Sequence, residues 1–352
     1  MIIIGCDFHP SWQQVCWLNT ETGETRKQKL MHGDGEAERF YRNIQEPVLI
    51  GLEATGNSHW FVDLVSSLGH EIWVGDAARI RAAQVRKQKS DPRDAADILD
   101  LLLKDNFPRI WMPSPEQRDQ RQLLIHRYKL VRMRAQIKGE LQHLALNQGM
   151  QKGRSLWSKK NQELFLALPL QHWAGMRRQT LLELMKAMDQ RIAALDQAVQ
   201  EAAEKDEGAR LLMTQPGVGP ITALAFVLTL GNAERFHRGK QVASYLGLIP
   251  AEYSSGGKQK MGRISKQGNC FMRMLLVEAA TVVVRYDPGF RKEYLHRCHR
   301  KPKAVAKVAA ARKLAIRLYW MLRTKTAYPE VVRMESSSGV APGRLRLGRR
   351  TD

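Results

Sequence analysis

The sequence predicts an α/β domain at the N-terminus and a mainly helical remainder, and three observations predict it. Over the first hundred or so residues, short apolar runs and amphipathic stretches follow the order strand, strand, strand, helix, strand, helix, strand, helix. Beyond a Pro-rich connector, Phe107 to Pro115, apolar residues recur in steps of three, four and seven. Toward the C-terminus, long apolar helical stretches are separated by basic loops that contain glycine. The expected division is 1–107, an α/β domain; 108–206, a helical, coiled-coil region; 207–328, a mainly helical domain; and 329–352, a Ser-, Gly- and Arg-rich tail expected to be disordered.

Ile2 to Cys6 is apolar and ends at Asp7, and Val15 to Leu18 and Thr25 to Leu30 complete a meander around Thr22-Gly23. A polar helix over Glu36 to Asn43 leads to Pro47–Leu52, whose unbroken apolar run suits a strand buried on both faces before it stops at Glu53. A helix over Ser58 to Leu68, a strand over Glu71 to Val74, a basic segment Arg79 to Lys89 and a helix from Asp91 to Lys104 follow. This order resembles the ribonuclease H-like fold, in which the first and fourth strands are neighbours and the last helix crosses their ends. In the helical region, Leu123, Leu130, Ile137 and Leu144 form one stripe. Leu181, Met185, Met188, Ile192, Leu195, Val199 and Ala202 form a second seam, suited equally to a hairpin within the chain or to a contact between chains.

Among the 352 residues, 56 are Lys or Arg and 35 are Asp or Glu, a formal net charge of +21. Such an excess favours a polyanionic partner, nucleic acid first, through phosphate neutralisation and counterion release. No apolar run approaches the roughly 18 residues that span a bilayer, and the start lacks a signal peptide's basic flank, so no membrane partner and a cytoplasmic location are expected. The four cysteines, Cys6, Cys16, Cys270 and Cys298, show no Cys-x-x-Cys spacing and fit a reducing compartment. His296, Cys298 and His299 read as a solvated basic helix face rather than a zinc site.

Asp91 and Asp94 have two local readings. Asp91 is a good N-cap, with Pro92 in the first turn and Asp94 at a capping-box position. Alternatively, their spacing of three puts both carboxylates on one helix face, able to hold a hard cation such as Mg²⁺. In the fold described above, Asp7, Glu53, Asp91 and Asp94 converge, and four acids in mutual repulsion make sense only around a cation. That placement favours the cation, while Asp97, one turn deeper, reads as a surface charge.

In the C-terminal domain, Gln215-Pro216-Gly217-Val218-Gly219-Pro220 resembles a helix-hairpin-helix turn that can present free amides to a phosphate. A tight turn between two core helices accounts for it equally well. Tyr253 to Lys260 and Gly262 to Asn269 are basic loops able to wrap a phosphodiester, with Lys258, Lys260, Arg263 and Lys266 as candidate contacts. Solvated linkers have the same composition. Cys270 to Val284 and Arg291 to Arg323 read as helices.

Together these motifs resemble the DEDD-type insertion-sequence transposases of family one hundred and ten. The resemblance rests on Gly5-Cys6-Asp7, Leu52-Glu53-Ala54-Thr55-Gly56, Lys89-Ser90-Asp91-Pro92-Arg93-Asp94-Ala95, Pro216-Gly217-Val218-Gly219, Tyr253-Ser254-Ser255-Gly256 and Ile264-Ser265-Lys266-Gln267-Gly268, in that order. It implies a RuvC-like N-terminal domain, a coiled-coil region and a C-terminal transposase domain. It further implies that Asp7, Glu53, Asp91 and Asp94 bind Mg²⁺ or Mn²⁺, and that Ser255, chosen over Ser254 because Gly256 follows, is the nucleophile. A noncoding bridge RNA pairing with donor and target DNA, and a homo-oligomer, dimer or tetramer, whose protomers share a composite site, are implied as well. Phe8-His9-Pro10 stands where such transposases commonly carry a small residue and a lysine. Two alternatives remain open: a hydrolytic RuvC-like junction nuclease using the acids alone, and a non-catalytic nucleic-acid binding scaffold.

Overall fold

A computed structural model describes residues 1–83, 91–151, 153–253 and 260–338, which form two compact units, Met1–Pro115 and Glu116–Asp352. In the first unit, β1 (Ile2–Phe8), β2 (Trp12–Asn19) and β3 (Thr25–Met31) are followed by α1 (Glu36–Arg42), β4 (Val48–Glu53), α2 (His59–Ser67) and β5 (Glu71–Gly75). The helices α3 (Ala77–Ala83) and α4 (Asp91–Leu103) complete it, α3 taking up the start of the stretch read only as basic. The sheet order is β3-β2-β1-β4-β5, antiparallel through the meander and parallel from β1 to β4 and β5. β1 and β4 are therefore neighbours, as the expected order requires. Ile4, Cys6, Ile50 and Leu52 have no exposure and pack with Tyr41, Phe61 and Val65 on one face. That apolar face, about 1.5–3 kcal/mol per fully buried large side chain, is what holds the mixed sheet.

The other face receives α4. Leu99 and Ala95 are buried against it, with Ile98 and Leu102 under the β4 side. The helix lies directly on two glycines. A Cβ at Gly5 would sit 2.1 Å from the Ala95 carbonyl oxygen and 2.5 Å from Leu99 N, and one at Gly51 would sit 2.7 Å from Leu102 Cδ1. Backbone cannot rotate away as a side chain can. Gly5→Ala is therefore expected to destabilise the first unit by about 3 kcal/mol, the upper range for overpacking, in urea unfolding. Gly33→Ala, where a Cβ meets nothing within 4 Å, is the matched control and should change little.

The second unit contains α5 (Pro115–Asn147, beginning one residue before it), α6 (Lys159–Leu166), α7 (His172–Lys205), α8 (Glu207–Met213), α9 (Pro220–Leu230) and α10 (Gly239–Tyr245). A two-stranded sheet of β6 (Pro250–Glu252) and β7 (Met261–Ile264) precedes α11 (Cys270–Tyr286), α12 (Pro288–Cys298), α13 (Lys303–Thr324) and α14 (Tyr328–Ser338). α5 and α7 run in opposite directions, tied by Arg127 Nε to Asp196 at 2.5 Å and Arg134 to Asp189 at 2.8 Å. Leu181, Ile192 and Val199 of the second seam are buried within the single chain. The expected boundary near 206 does not separate two cores: Leu124, Val199 and Ala203 are buried in one cluster with Leu212, Leu224, Phe226, Leu276 and Leu318.

One expectation needs correction and two are made more definite. The stretch read as a disordered tail begins as α14, because Val331, 3% exposed, completes the helical core. Arg291 to Arg323 is helical as expected, in two helices, with Pro302 standing before α13. Residues 260–269 are a built segment and not a solvated linker. Ser265 N–H donates to the Ile249 carbonyl at 2.8 Å, and Arg273 donates to the carbonyls of Leu246, Gln267 and Gly268. Asn269 caps α11 by accepting from Met272 N at 3.1 Å.

Candidate metal centre

β1 and β4 carry their acids to the same end of the sheet. Their parallel register sets Cys6 opposite Leu52, so Asp7 and Glu53 are the next residues on adjoining strands. Side chains two apart on a strand share a face, and Gly5 and Gly51 both face α4. Asp7 and Glu53 therefore lie on the α4 side. The first turn of α4 supplies Asp91 and Asp94, of which Asp94 is turned inward and only 8% exposed; Asp97 is exposed.

One ligand atom each from Asp7, His9 and Asp91 lies within 4.8 Å of the others, and His9 is the functional candidate that sequence reasoning passed over. His9 Nε2 is 3.2 Å from Asp7 Oδ2 and 4.0 Å from Asp91 Oδ1. The missed signal was the spacing of two between Asp7 and His9 at a strand end. Glu53 is brought to the sheet end by register and Asp94 by helix spacing, both outside that trio.

The electrostatics agree with crowding of negative charge. Burial pushes the Asp7 carboxyl above its ordinary range; His9 opposes this by charge and hydrogen bond, while Asp94 and Asp91 push it further up. A carboxylate raised first by burial and further by two like charges beside it is what a divalent cation would relieve. Hard oxygen donors with one imidazole suit Mg²⁺ or Mn²⁺, so the residues fit such an ion. On the opposite face of β1, Cys6 donates to Gln13 and Gln13 to Tyr41, and burial raises the Cys6 thiol far above its usual range. Cys6 is thus a structural, un-ionised thiol.

The expected nucleic-acid contacts lie in the second unit. Gly217 has a left-handed φ of 86°, and a Cβ there would meet Val283 N at 2.9 Å, so this glycine answers to packing against α11. Gly219 is the N-cap of α9, with no side-chain cap and open space where a Cβ would be. Lys260, Arg263 and Lys266 are exposed. Ser254, Ser255 and Lys258 lie outside the described residues, between β6 and β7, whose ends are joined by Tyr253 N–H to the Lys260 carbonyl at 2.9 Å. Among the described residues, no helix is long and apolar enough to cross a membrane.

Comparison with known proteins supplies a second line of observation. The profile described as Transposase IS116/IS110/IS902 family matches residues 209–295. A second profile, described as Transposase and of the DEDD IS110 type, matches residues 4–149. A Pseudomonas aeruginosa protein named "Probable family 20 transposase" is 30% identical over 298 residues, covering 82% of this chain and 88% of its own length. The "Transposase for insertion sequence element IS1328" of Yersinia enterocolitica is 27% identical, covering 79% and 84%. The "Pilin gene-inverting protein" of Moraxella bovis is 25% identical, covering 90% of each chain.

Proposed function

The chain belongs to the IS116/IS110/IS902 family of insertion-sequence transposases, and from that premise we propose that it cuts and rejoins DNA through a serine–phosphate linkage at sites chosen by a noncoding RNA. The observation that carries the metal-dependent part is the gathering of Asp7 and Asp91 at one point, with Asp94 near enough to raise the Asp7 carboxyl. We read the first unit as RuvC-like, with Asp7, Glu53, Asp91 and Asp94 holding Mg²⁺ or Mn²⁺. When bound, the ion supplies positive charge that polarises the phosphate and lowers the pKa of an attacking hydroxyl.

Ser255 supplies that hydroxyl. Its Oγ gives up its proton and bonds to phosphorus, the bond to the 3′ oxygen breaks and that oxygen takes up a proton to leave as a 3′ hydroxyl, and the phosphoserine ester keeps the energy needed for rejoining without ATP. Lys258, Lys260, Arg263 and Lys266 neutralise the phosphates, and the amides near Gly217 and Gly219 contact the backbone. Base pairing reads the sequence while the basic protein reads backbone and shape. The working form is a homo-oligomer.

A nicked DNA substrate tests the chemistry. Wild-type protein and Ser254→Ala are expected to trap a covalent protein–DNA adduct that Ser255→Ala does not form. Cleavage that persists in Ser255→Ala would instead establish metal-dependent hydrolysis. For the RNA, sequencing what copurifies should yield one structured species with loops complementary to two DNA sites; random fragments would remove the guide from the proposal.

A further inference from the structure

We propose that His9 is itself a ligand of the cation, making the centre a mixed imidazole–carboxylate site that prefers Mn²⁺ to Mg²⁺. The inference rests on the reading of Asp7 and Asp91 as cation ligands and adds to it a donor of a different kind. Two donors on one ion, each about 2.1 Å from it, stand about 3 Å apart at right angles and a little over 4 Å apart when opposite. The His9 Nε2 separations, 3.2 Å to Asp7 Oδ2 and 4.0 Å to Asp91 Oδ1, fall in that range.

The ring is also held by contacts that owe nothing to the acids. It stacks on Trp12 with centroids 4.1 Å apart and planes 22° from parallel. The His9 backbone N–H donates to the Trp12 carbonyl at 2.9 Å, closing the turn between β1 and β2. Trp12 is fixed in turn by its pairing with Met31 and by Lys29 Nζ, 4.2 Å from its ring centroid. The imidazole is thus oriented before any ion arrives, and its Nε2 is aimed at the carboxylates.

Donor type decides the metal. Mg²⁺ dehydrates reluctantly and takes oxygen, whereas Mn²⁺, although first in the divalent series and also at home among carboxylates, gives up water for an imidazole nitrogen more readily than Mg²⁺ does. An imidazolium that merely offset the acids would be displaced by the cation, so the two roles differ in whether nitrogen touches the metal.

The full chain is titrated with Mn²⁺ alone and studied by pulsed electron paramagnetic resonance. Bound Mn²⁺ in the wild type is expected to show ¹⁴N coupling from one imidazole, lost in His9→Gln. The variant should also lose about tenfold or more in Mn²⁺ affinity but less in Mg²⁺ affinity, by calorimetry. Mn²⁺ bound without nitrogen coupling in the wild type overturns the inference and leaves the acid centre standing. Failure of the wild type to bind Mn²⁺ at all overturns both.

Discussion

Asp7→Asn is expected to reduce DNA strand cleavage by about 10³-fold or more while leaving the metal-free fold intact. The ion supplies several kcal/mol of charge stabilisation in the transition state, and each 1.36 kcal/mol is tenfold in rate. Asn keeps the shape of Asp7 but removes the charge that, in the proposed centre, would hold a cation. It also removes the repulsion: burial and then the Asp94 and Asp91 carboxylates push the Asp7 carboxyl upward. The variant should therefore melt no lower than wild type without metal, and should lose the rise in Tm that saturating Mn²⁺ gives the wild type.

The pH dependence follows from the same direction of shift. Above the ordinary value of 3.8, folded Asp7 keeps a proton that the unfolded chain has released. The folded state then binds more protons, so Asp7's contribution to metal-free stability falls as pH rises through its folded pKa. Cation affinity moves oppositely, because the ion competes with that proton. Cleavage by Asp7→Asn within tenfold of wild type, or unchanged Mn²⁺ affinity, would remove Asp7 from the centre.

Asp287→Ala is expected to cost the second unit 3–5 kcal/mol, about 10 °C in Tm. Asp287 and Arg317, 4% and 1% exposed, pair at 2.6 Å between the end of α11 and the middle of α13. Asp287 Oδ1 also caps α12 by accepting from Phe290 N at 2.9 Å, and Oδ2 accepts from Tyr328 Oη of α14 at 3.2 Å. The Arg317 guanidinium lies 4.5 Å from the Phe290 ring centroid and donates to Gln215, just before the Pro216-Gly217 turn. Losing the carboxylate leaves that guanidinium buried without its anion and α12 without its cap. Asp287→Leu combined with Arg317→Met should recover much of the loss, since a buried pair is often replaceable by apolar groups. A change below about 1 kcal/mol for Asp287→Ala would show that this junction does not hold the helices together.

The burial of Arg317 has no signature in the sequence. A basic residue in a basic helix is indistinguishable in sequence from its solvated neighbours, and a carboxylate thirty residues away is what allowed it inside. Likewise, residues 260–269 have a linker's composition, yet Gly247 and Gly268 admit backbone so closely that a Cβ at either would lie 2.2 Å from a carbonyl oxygen. Composition reports solvation preference; it does not report such close approach.

Residue order alone carries the succession of strands and helices, the placement of Asp7 and Glu53 at strand ends, the paired acids opening α4, and the motifs behind the family resemblance. Those are local properties, written in periodicity and spacing. Which acids come within reach of one another, and that His9 lies beside Asp7 and Asp91, follows from packing over long distances in the chain. That outcome depends on β1 pairing with β4 across more than forty residues and on α4 settling where Gly5 and Gly51 leave room. Missing Cβ atoms look alike in sequence whether they serve a turn or a helix crossing, and only packing tells them apart.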